Sequence, residues 1–164
     1  YGDMYDQPLP PHGVKVAVGL WFTSRLYLRL FEMDFQQLDV RDDREQRARD
    51  IRRQYGERAR PVLQVLEQRP ATLQTACLQS REGAVKALIR ENLDVLQAVP
   101  DYMRKIGLFS RDDVKAMPVD WIRRAVCAGF EIRNRFTVTA LLHQTGVLEE
   151  TVDELLEEYA ELIR

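Results

Sequence analysis

The chain has 164 residues and a mass of 19.2 kDa, a single-domain length that can bury a sizeable core. Its composition, 45% hydrophobic and 30% charged, is typical of a globular protein, and 8 glycines and 7 prolines are too few for a disordered or collagen-like chain. The net charge of -2 excludes a global electrostatic attraction to nucleic acid or to an acidic membrane.

Residues 1–13, YGDMYDQPLPPHG, are predicted to form an extended, proline-rich leader, because each proline fixes φ and lacks a backbone donor. Its PLPP run is either a polyproline ligand for an aromatic groove or a linker, and the linker is the simpler interpretation. Residues 14–164 are predicted to form one helical domain. Because the sequence starts at Tyr1 and ends within a helical pattern, we expect it to be part of a larger protein.

The first helix is predicted over residues 19–38. Residues 14–18 alternate as a short strand does, but no second strand candidate follows. The helix is apolar on more than one side, which suits the centre of a bundle. The alternative is a helix that binds a ligand or a membrane surface through Trp21 and Phe22. The apolar stretch is too short to span a bilayer, which takes about 20 residues, because it is interrupted by Lys15, Arg25 and Arg29.

Residues 41–68 carry a narrow apolar seam. Its side chains recur every three or four residues and fall within an arc of about 80° on a helix, a pattern typical of helices that pair with one another. Gly56 and Pro61 predict a kink or a split within it. The apolar positions are Ala48, Ile51, Tyr55, Ala59, Val62 and Leu66.

The remaining sequence also has helical periodicity throughout. A long helix after Ser80 carries an apolar stripe that includes Leu88 and is ended by Pro100, and Asn92 within it is either an interior residue that sets register or the edge of burial. Shorter helices are predicted at residues 71–79, 101–107, 110–118, 120–133, 136–144 and 149–163. The fold class is therefore all-α, a compact bundle of about seven to nine helices with short loops.

Few residues are available for catalysis or metal binding. The chain has two histidines, His12 and His143, and two cysteines, Cys77 and Cys127, without HExxH, CxxC or phosphate-loop spacing. We predict no enzyme activity, no cofactor and no metal site. The cysteines are expected to be free and buried, which indicates the cytoplasm or another reducing compartment unless a targeting signal lies elsewhere.

An arginine-rich stretch at residues 41–60 has eight arginines and five acids, a local charge of +3. On a helix these arginines spread around most of the circumference and several have acidic neighbours at i,i+3 or i,i+4. This pattern favours an exposed helix with internal salt bridges. Alternatives are a docking surface for an acidic protein and, less favoured, a nucleic-acid contact. The candidate contact residues are Arg47, Arg49, Arg52 and Arg53.

The last helix, at residues 149–163, is strongly amphipathic and its polar face is acidic. With the preceding LLHQTG it resembles a helix-turn-helix, with Gly146 at the turn, but these acids would repel phosphates. We therefore predict a local αα corner without DNA reading. The acidic face serves solubility or docks a basic partner, including the arginine-rich stretch of another copy. The candidate residues are Glu150, Asp153, Glu154, Glu157 and Glu158.

The run from Arg133 to Arg135 predicts a helix break that places both arginines at a helix end. If the helix were continuous, Arg133 would be buried and both arginines would be candidates for contact with an anion or ligand. Taken together, the sequence predicts a non-enzymatic helical interaction domain, an adaptor, assembly or regulatory module with a protein partner and, as a further option, a homo-oligomer. The alternatives are a nucleic-acid-binding module and a ligand- or membrane-surface-binding domain.

Overall fold

A computed structural model describes residues 10–41, 43–68, 73–131 and 135–164. Within these residues the chain forms nine α-helices of six or more residues, one single-turn helix and no strand. The predicted all-α bundle with short loops is confirmed. The helices are α1 (His12–Glu32), α2 (Arg44–Tyr55), α3 (Ala59–Glu67), α4 (Thr75–Ser80), α5 (Glu82–Glu91), α6 (Leu93–Lys105), the single turn α7 (Asp112–Lys115), α8 (Val119–Ala128), α9 (Val138–Gln144) and α10 (Leu148–Leu162).

Helix α1 starts and ends earlier than predicted. It begins at His12, directly after Pro11, so the last two residues of the predicted leader and the candidate strand at 14–18 are helical. Residues 1–9, the rest of that leader, lie outside the described residues. The helix ends at Glu32 because Asp34 adopts an extended conformation and its side chain accepts a hydrogen bond from the Gln36 backbone N–H at 2.9 Å. This cap opens a separate 3-10 turn in the segment predicted to be helical.

The main apolar core surrounds α1. Helices α5 and α6 pack on one side of it and α9 and α10 on another. Trp21 and Phe22 are buried, with ring centroids 4.8 Å apart, and the buried Tyr159 of α10 lies 5.5 and 5.4 Å from them. Trp21 therefore belongs to the core and not to a surface that would meet a membrane.

Helix α6 continues through Pro100, so the prediction that this proline ends the helix is wrong. Proline removes one backbone hydrogen bond, but Val99 and Met103 are buried in the core on either side and hold the chain in place. The break occurs instead at Asn92, between α5 and α6, where the exposed side chain donates to the Leu88 carbonyl at 3.0 Å. Asn92 marks the edge of burial, and Leu88 is exposed rather than buried.

Helix α8 ends at Ala128 and does not run to residue 133. Gly129 to Glu131 form a turn, which confirms a break between α8 and α9. Arg133 lies outside the described residues, whereas Arg135 is exposed and precedes α9. The start of α9 is fixed by Thr137, whose hydroxyl accepts a hydrogen bond from the Ala140 N–H at 3.2 Å.

The predicted αα corner between α9 and α10 is confirmed. Gly146 has a φ of 75°, a left-handed conformation that glycine adopts without strain. Its N–H donates to the His143 carbonyl at 2.9 Å, and the Val147 N–H donates to Leu142 at 3.1 Å, so the last carbonyls of α9 are satisfied.

Helices α2 and α3 form a hairpin, defined here as residues 44–67, and the remaining described residues are called the body. The predicted split occurs at Gly56, whose φ is 53°. Pro61 lies in the first turn of α3, where no intrahelical donor is needed, and so it causes no break. The apolar seam closes within the hairpin as a separate small cluster of Ile51, Ala59, Val62 and Leu66.

Candidate functional site

An open groove with a cavity of about 680 Å³ lies between α1, α8 and the start of α9. Its lining residues on α1 and on α8 recur at three- and four-residue spacing, so each helix contributes one face. The floor is apolar and buried, and consists of Val18, Phe22, Leu26, Ile122 and Val138.

Small residues keep the groove open. Gly19 lies in the wall formed by α1, and a Cβ added there would meet no atom within 4 Å. Ala125 and Gly129 occupy the facing wall on α8 and in the turn after it. Larger side chains at these positions would fill the space that the groove leaves between the helices.

The apolar surface continues beyond the groove. Four large apolar side chains, each about half exposed, lie within two positions of lining residues in the sequence. Val16 and Leu20 extend the α1 rim, since their spacing of four places them on one stripe. Val119 and Phe136 lie at the starts of α8 and α9. Exposed apolar area of this kind marks binding surfaces in soluble domains.

The groove carries little charge. Among its described lining residues only Lys15 is ionised, and the other polar side-chain groups are the indole N–H of Trp121 and the hydroxyls of Tyr27 and of three threonines, Thr23, Thr137 and Thr139. No carboxylate, histidine or cysteine lines the groove in the described part of the chain. The arrangement therefore suits an apolar occupant with one anionic group near Lys15.

Arg47, one of the candidate contact residues, points inward. Its guanidinium forms a salt bridge with Glu131, whose side chain is 1% exposed, and lies 5.6 Å from the Phe130 ring centroid. The Tyr55 hydroxyl donates to the same carboxylate at 3.0 Å. Arg47 thus connects the hairpin to the body and is not available to an external partner.

The other candidate arginines do not form one surface with Arg47. Arg49 donates to the Gln46 side chain at 2.8 Å, and Arg53 pairs with Asp50 at 3.0 Å, which confirms that predicted i,i+3 salt bridge. Arg52 is exposed. The predicted exposed, salt-bridged helix describes the outer side of α2, while the inner side is part of an interface within the chain.

A second polar contact lies directly before the hairpin. Asp43, directly before α2, lies 2.9 Å from His143 of α9, and this hydrogen bond lowers the pKa of the Asp43 carboxyl below its ordinary value. The His143 ring lies 4.7 Å from Phe130. We call Asp43, Arg47, Tyr55, Glu131 and His143 the polar cluster. The sequence gives no local signal for it, because its members are separated by up to 100 positions.

Three of the five candidate acids on α10 are paired with arginines of the body. Glu158 binds Arg25 at 2.7 Å and Arg29 at 2.6 Å, and Arg29 also lies 3.7 Å from Glu154. Asp153 accepts from Arg123 of α8 at 2.6 Å, which lowers the pKa of the Asp153 carboxyl. The spacing of Arg25 and Arg29 on one face of α1 is the signal that could have predicted this pairing. The two remaining candidates, both exposed and without an ion pair among the described residues, are Glu150 and Glu157.

The cysteines differ in exposure. Cys127 is partly buried, and burial raises the pKa of its thiol to about 11, so it stays protonated at neutral pH. Cys77 is exposed, so the prediction that both thiols are buried is wrong for Cys77. Both are free, and the described residues contain no group of three or more side chains that could hold a metal ion.

Comparison of the chain with models of known protein families, with curated proteins and with solved structures gives no match. None of the helices in the described ranges is long and apolar enough to cross a membrane. The groove, the polar cluster and the distribution of exposed apolar side chains are therefore the observations from which a function is inferred.

Proposed function

We propose that this chain is a protein-interaction domain that binds an amphipathic helix of a partner in the groove between α1, α8 and α9. The observation that carries the proposal is the combination of an open apolar groove with an exposed apolar rim at Val16, Leu20, Val119 and Phe136. A deep pocket for a small ligand would not need such a rim, whereas a helix lying across the groove would cover it.

The dimensions of the groove suit a helix. Its lining on α1 extends from Lys15 to Tyr27, which corresponds to about 18 Å along the helix axis, or about three turns. A partner helix of similar length would present apolar side chains at i, i+3 or i+4, and i+7 to the buried floor.

The charge of the groove indicates the polar edge of that partner. Lys15 is the ionised residue of the lining, and it is exposed. An aspartate or glutamate beside the apolar face of the partner helix would pair with it at the rim. Such a pair contributes orientation more than affinity, because it remains solvated.

The test is a selection of displayed amphipathic helices of about 15 residues on the purified protein, followed by affinity measurement with the recovered peptides. We expect the peptides to bind the wild type and the Gly19→Leu variant to bind at least about tenfold more weakly, because the added side chain occupies the groove. Fluorescence of Trp121, which lines the groove, should change on binding.

Gly83→Leu is the matched control. Gly83 lies on α5, outside the groove, and its added side chain would also meet no atom within 4 Å. This variant should bind the peptides as the wild type does. Peptides that bind the wild type and the Gly19→Leu variant equally, or a selection that enriches no amphipathic helix, would contradict the proposal.

A second candidate is a small apolar ligand in the same groove, since about 680 Å³ is within the range of ligand pockets. Laurate is a suitable probe, because its chain is apolar and its carboxylate would meet Lys15. Binding of laurate that is weakened by both Gly19→Leu and Lys15→Met, together with no enrichment of helices, would favour this ligand over a partner helix.

A further inference from the structure

Helices α5 and α6 carry a second exposed apolar surface, away from the groove. Four large side chains, three on these helices and one directly after α6, are between 61% and 68% exposed. The first three recur every seven residues across the break at Asn92, and this is the spacing at which paired helices meet one another. We call this surface the α5–α6 stripe, and its residues are Leu88, Val95, Tyr102 and Ile106.

The stripe is separate from the side of these helices that packs in the core. Ile89, Val99 and Met103 are buried in the main core, where α5 and α6 pack on α1. Ala98 lies between the stripe residues Val95 and Tyr102, and its small side chain allows another helix to approach closely. Folding of the chain itself therefore leaves this face uncovered.

The charges beside the stripe are arranged asymmetrically along it. Two pairs are satisfied within the chain, Lys86 with Glu82 at 2.8 Å and Arg104 with Asp101 at 2.6 Å. Glu91 and Lys105 have no ion pair among the described residues and lie toward opposite ends of the stripe. Glu91 follows Leu88 by three positions, and Lys105 follows Tyr102 by three positions. Both charged side chains therefore lie beside the stripe.

We propose that the α5–α6 stripe binds the same stripe of a second copy of this chain in antiparallel orientation. In this arrangement Ala98 lies near the two-fold axis, Val95 packs beside Tyr102 of the second copy, and Glu91 of each copy meets Lys105 of the other. A parallel pair would place Glu91 against Glu91 and Lys105 against Lys105. Opposite charges therefore face each other only in the antiparallel arrangement of the two copies.

The expected dimer dissociates on dilution. The stripe extends over 19 residues, from Leu88 to Ile106, which corresponds to at most about 27 Å because the break at Asn92 lies within it. One helix face of this length gives an interface at the small end of specific protein interfaces. This inference is independent of the proposed helix binding in the groove, because the two surfaces share no residue.

The test measures the dimer dissociation constant by sedimentation velocity over a range of protein concentrations. Glu91→Lys and Lys105→Glu should each weaken self-association by about tenfold, since each replaces two attractive pairs by two repulsive ones. The double variant should recover the wild-type constant. A mixture of the two single variants should form a mixed dimer, because each then supplies the charge that the other lacks.

Two apolar substitutions provide the controls. Val95→Glu should give a monomer and retain helical content, because Val95 is exposed in the monomer. Val16→Glu changes a similarly exposed valine on the groove rim and should leave the dimer intact. A wild-type chain that stays monomeric at every concentration overturns the proposal. Single charge variants with an unchanged dissociation constant would overturn the antiparallel arrangement.

Discussion

The body and the hairpin are stabilised by different forces. The body has one continuous apolar core that joins α1 to most other helices, with Trp21, Leu155 and Tyr159 almost completely buried in it. The hairpin has its own small apolar cluster, which is separate from that core in the described residues. Between them lies the polar cluster, with the Arg47–Glu131 salt bridge at its centre.

This difference has a consequence for how each region responds to its environment. Apolar burial depends little on pH and is not screened by salt, whereas ion pairs are sensitive to both. Hydrogen bonding and charge pairing attach the hairpin to the turn after α8, and Asp43, directly before the hairpin, contacts α9. We therefore expect the hairpin to open at a lower free energy than the body unfolds.

The largest effect is expected from truncating the core of the body. Trp21→Ala should lower the free energy of unfolding by about 3 to 5 kcal/mol, because it leaves a cavity beside Phe22 and Tyr159. Urea denaturation measures this change, and amide exchange should increase in the body more than in the hairpin, which already exchanges through its own opening at a lower free energy. Leu20→Ala, on the exposed side of the same helix, should cost less than about 1 kcal/mol. An equally small effect of Trp21→Ala would contradict a single apolar core around α1.

A somewhat smaller and local effect is expected from Arg47→Met. It leaves the buried Glu131 carboxylate without its cation, which should cost about 3 kcal/mol, and the hairpin can open to relieve this cost. Amide exchange should increase in α2 and α3 and remain unchanged in α10. Adding Glu131→Gln removes the unpaired charge and should restore part of the protection. If α10 lost protection to the same extent, the hairpin and the body would be one cooperative unit.

The smallest effect is expected at Asp43. Because its pKa in the folded state is below the ordinary value of 3.8, the carboxylate stabilises the fold above that pH and loses this contribution as the pH falls below it. Asp43 is partly exposed, so Asp43→Asn should cost less than about 1 kcal/mol near pH 6, and the cost should be smaller near pH 3. Urea denaturation at both pH values measures the difference. A cost that is the same at both would argue against a charged pair with His143.

Local patterns predicted much of the fold but not how distant segments meet. The all-α class, the split at Gly56 and the αα corner at Gly146 follow from periodicity and from glycines that adopt a positive φ, so the sequence shows them directly. The continuation of α6 through Pro100 depends on tertiary packing that outweighs one lost hydrogen bond. The outward position of Leu88 depends on which side of its helix meets α1, a choice that periodicity alone does not make.

The candidate site shows the same limit. Arg47 was predicted as a candidate contact residue for a partner, but it pairs within the chain with Glu131, which is 84 residues away, and no local rule connects the two. The groove is also a product of tertiary structure, since Gly19 and Ala125 are ordinary helix residues until α1 and α8 lie side by side. The acidic face of α10 was predicted, whereas its neutralisation by Arg25, Arg29 and Arg123 was not.

Gly19 lowers the stability of α1 but leaves the groove between the helices open. Glycine in the middle of a helix costs about 1 kcal/mol relative to alanine, and α1 accepts this cost near the centre of its length. Gly19→Ala is therefore among the first substitutions that an effort to raise the melting temperature would choose, and nothing within 4 Å opposes it. A more heat-resistant domain obtained in this way would have a narrower groove, so its melting temperature would rise at the expense of whatever the groove admits.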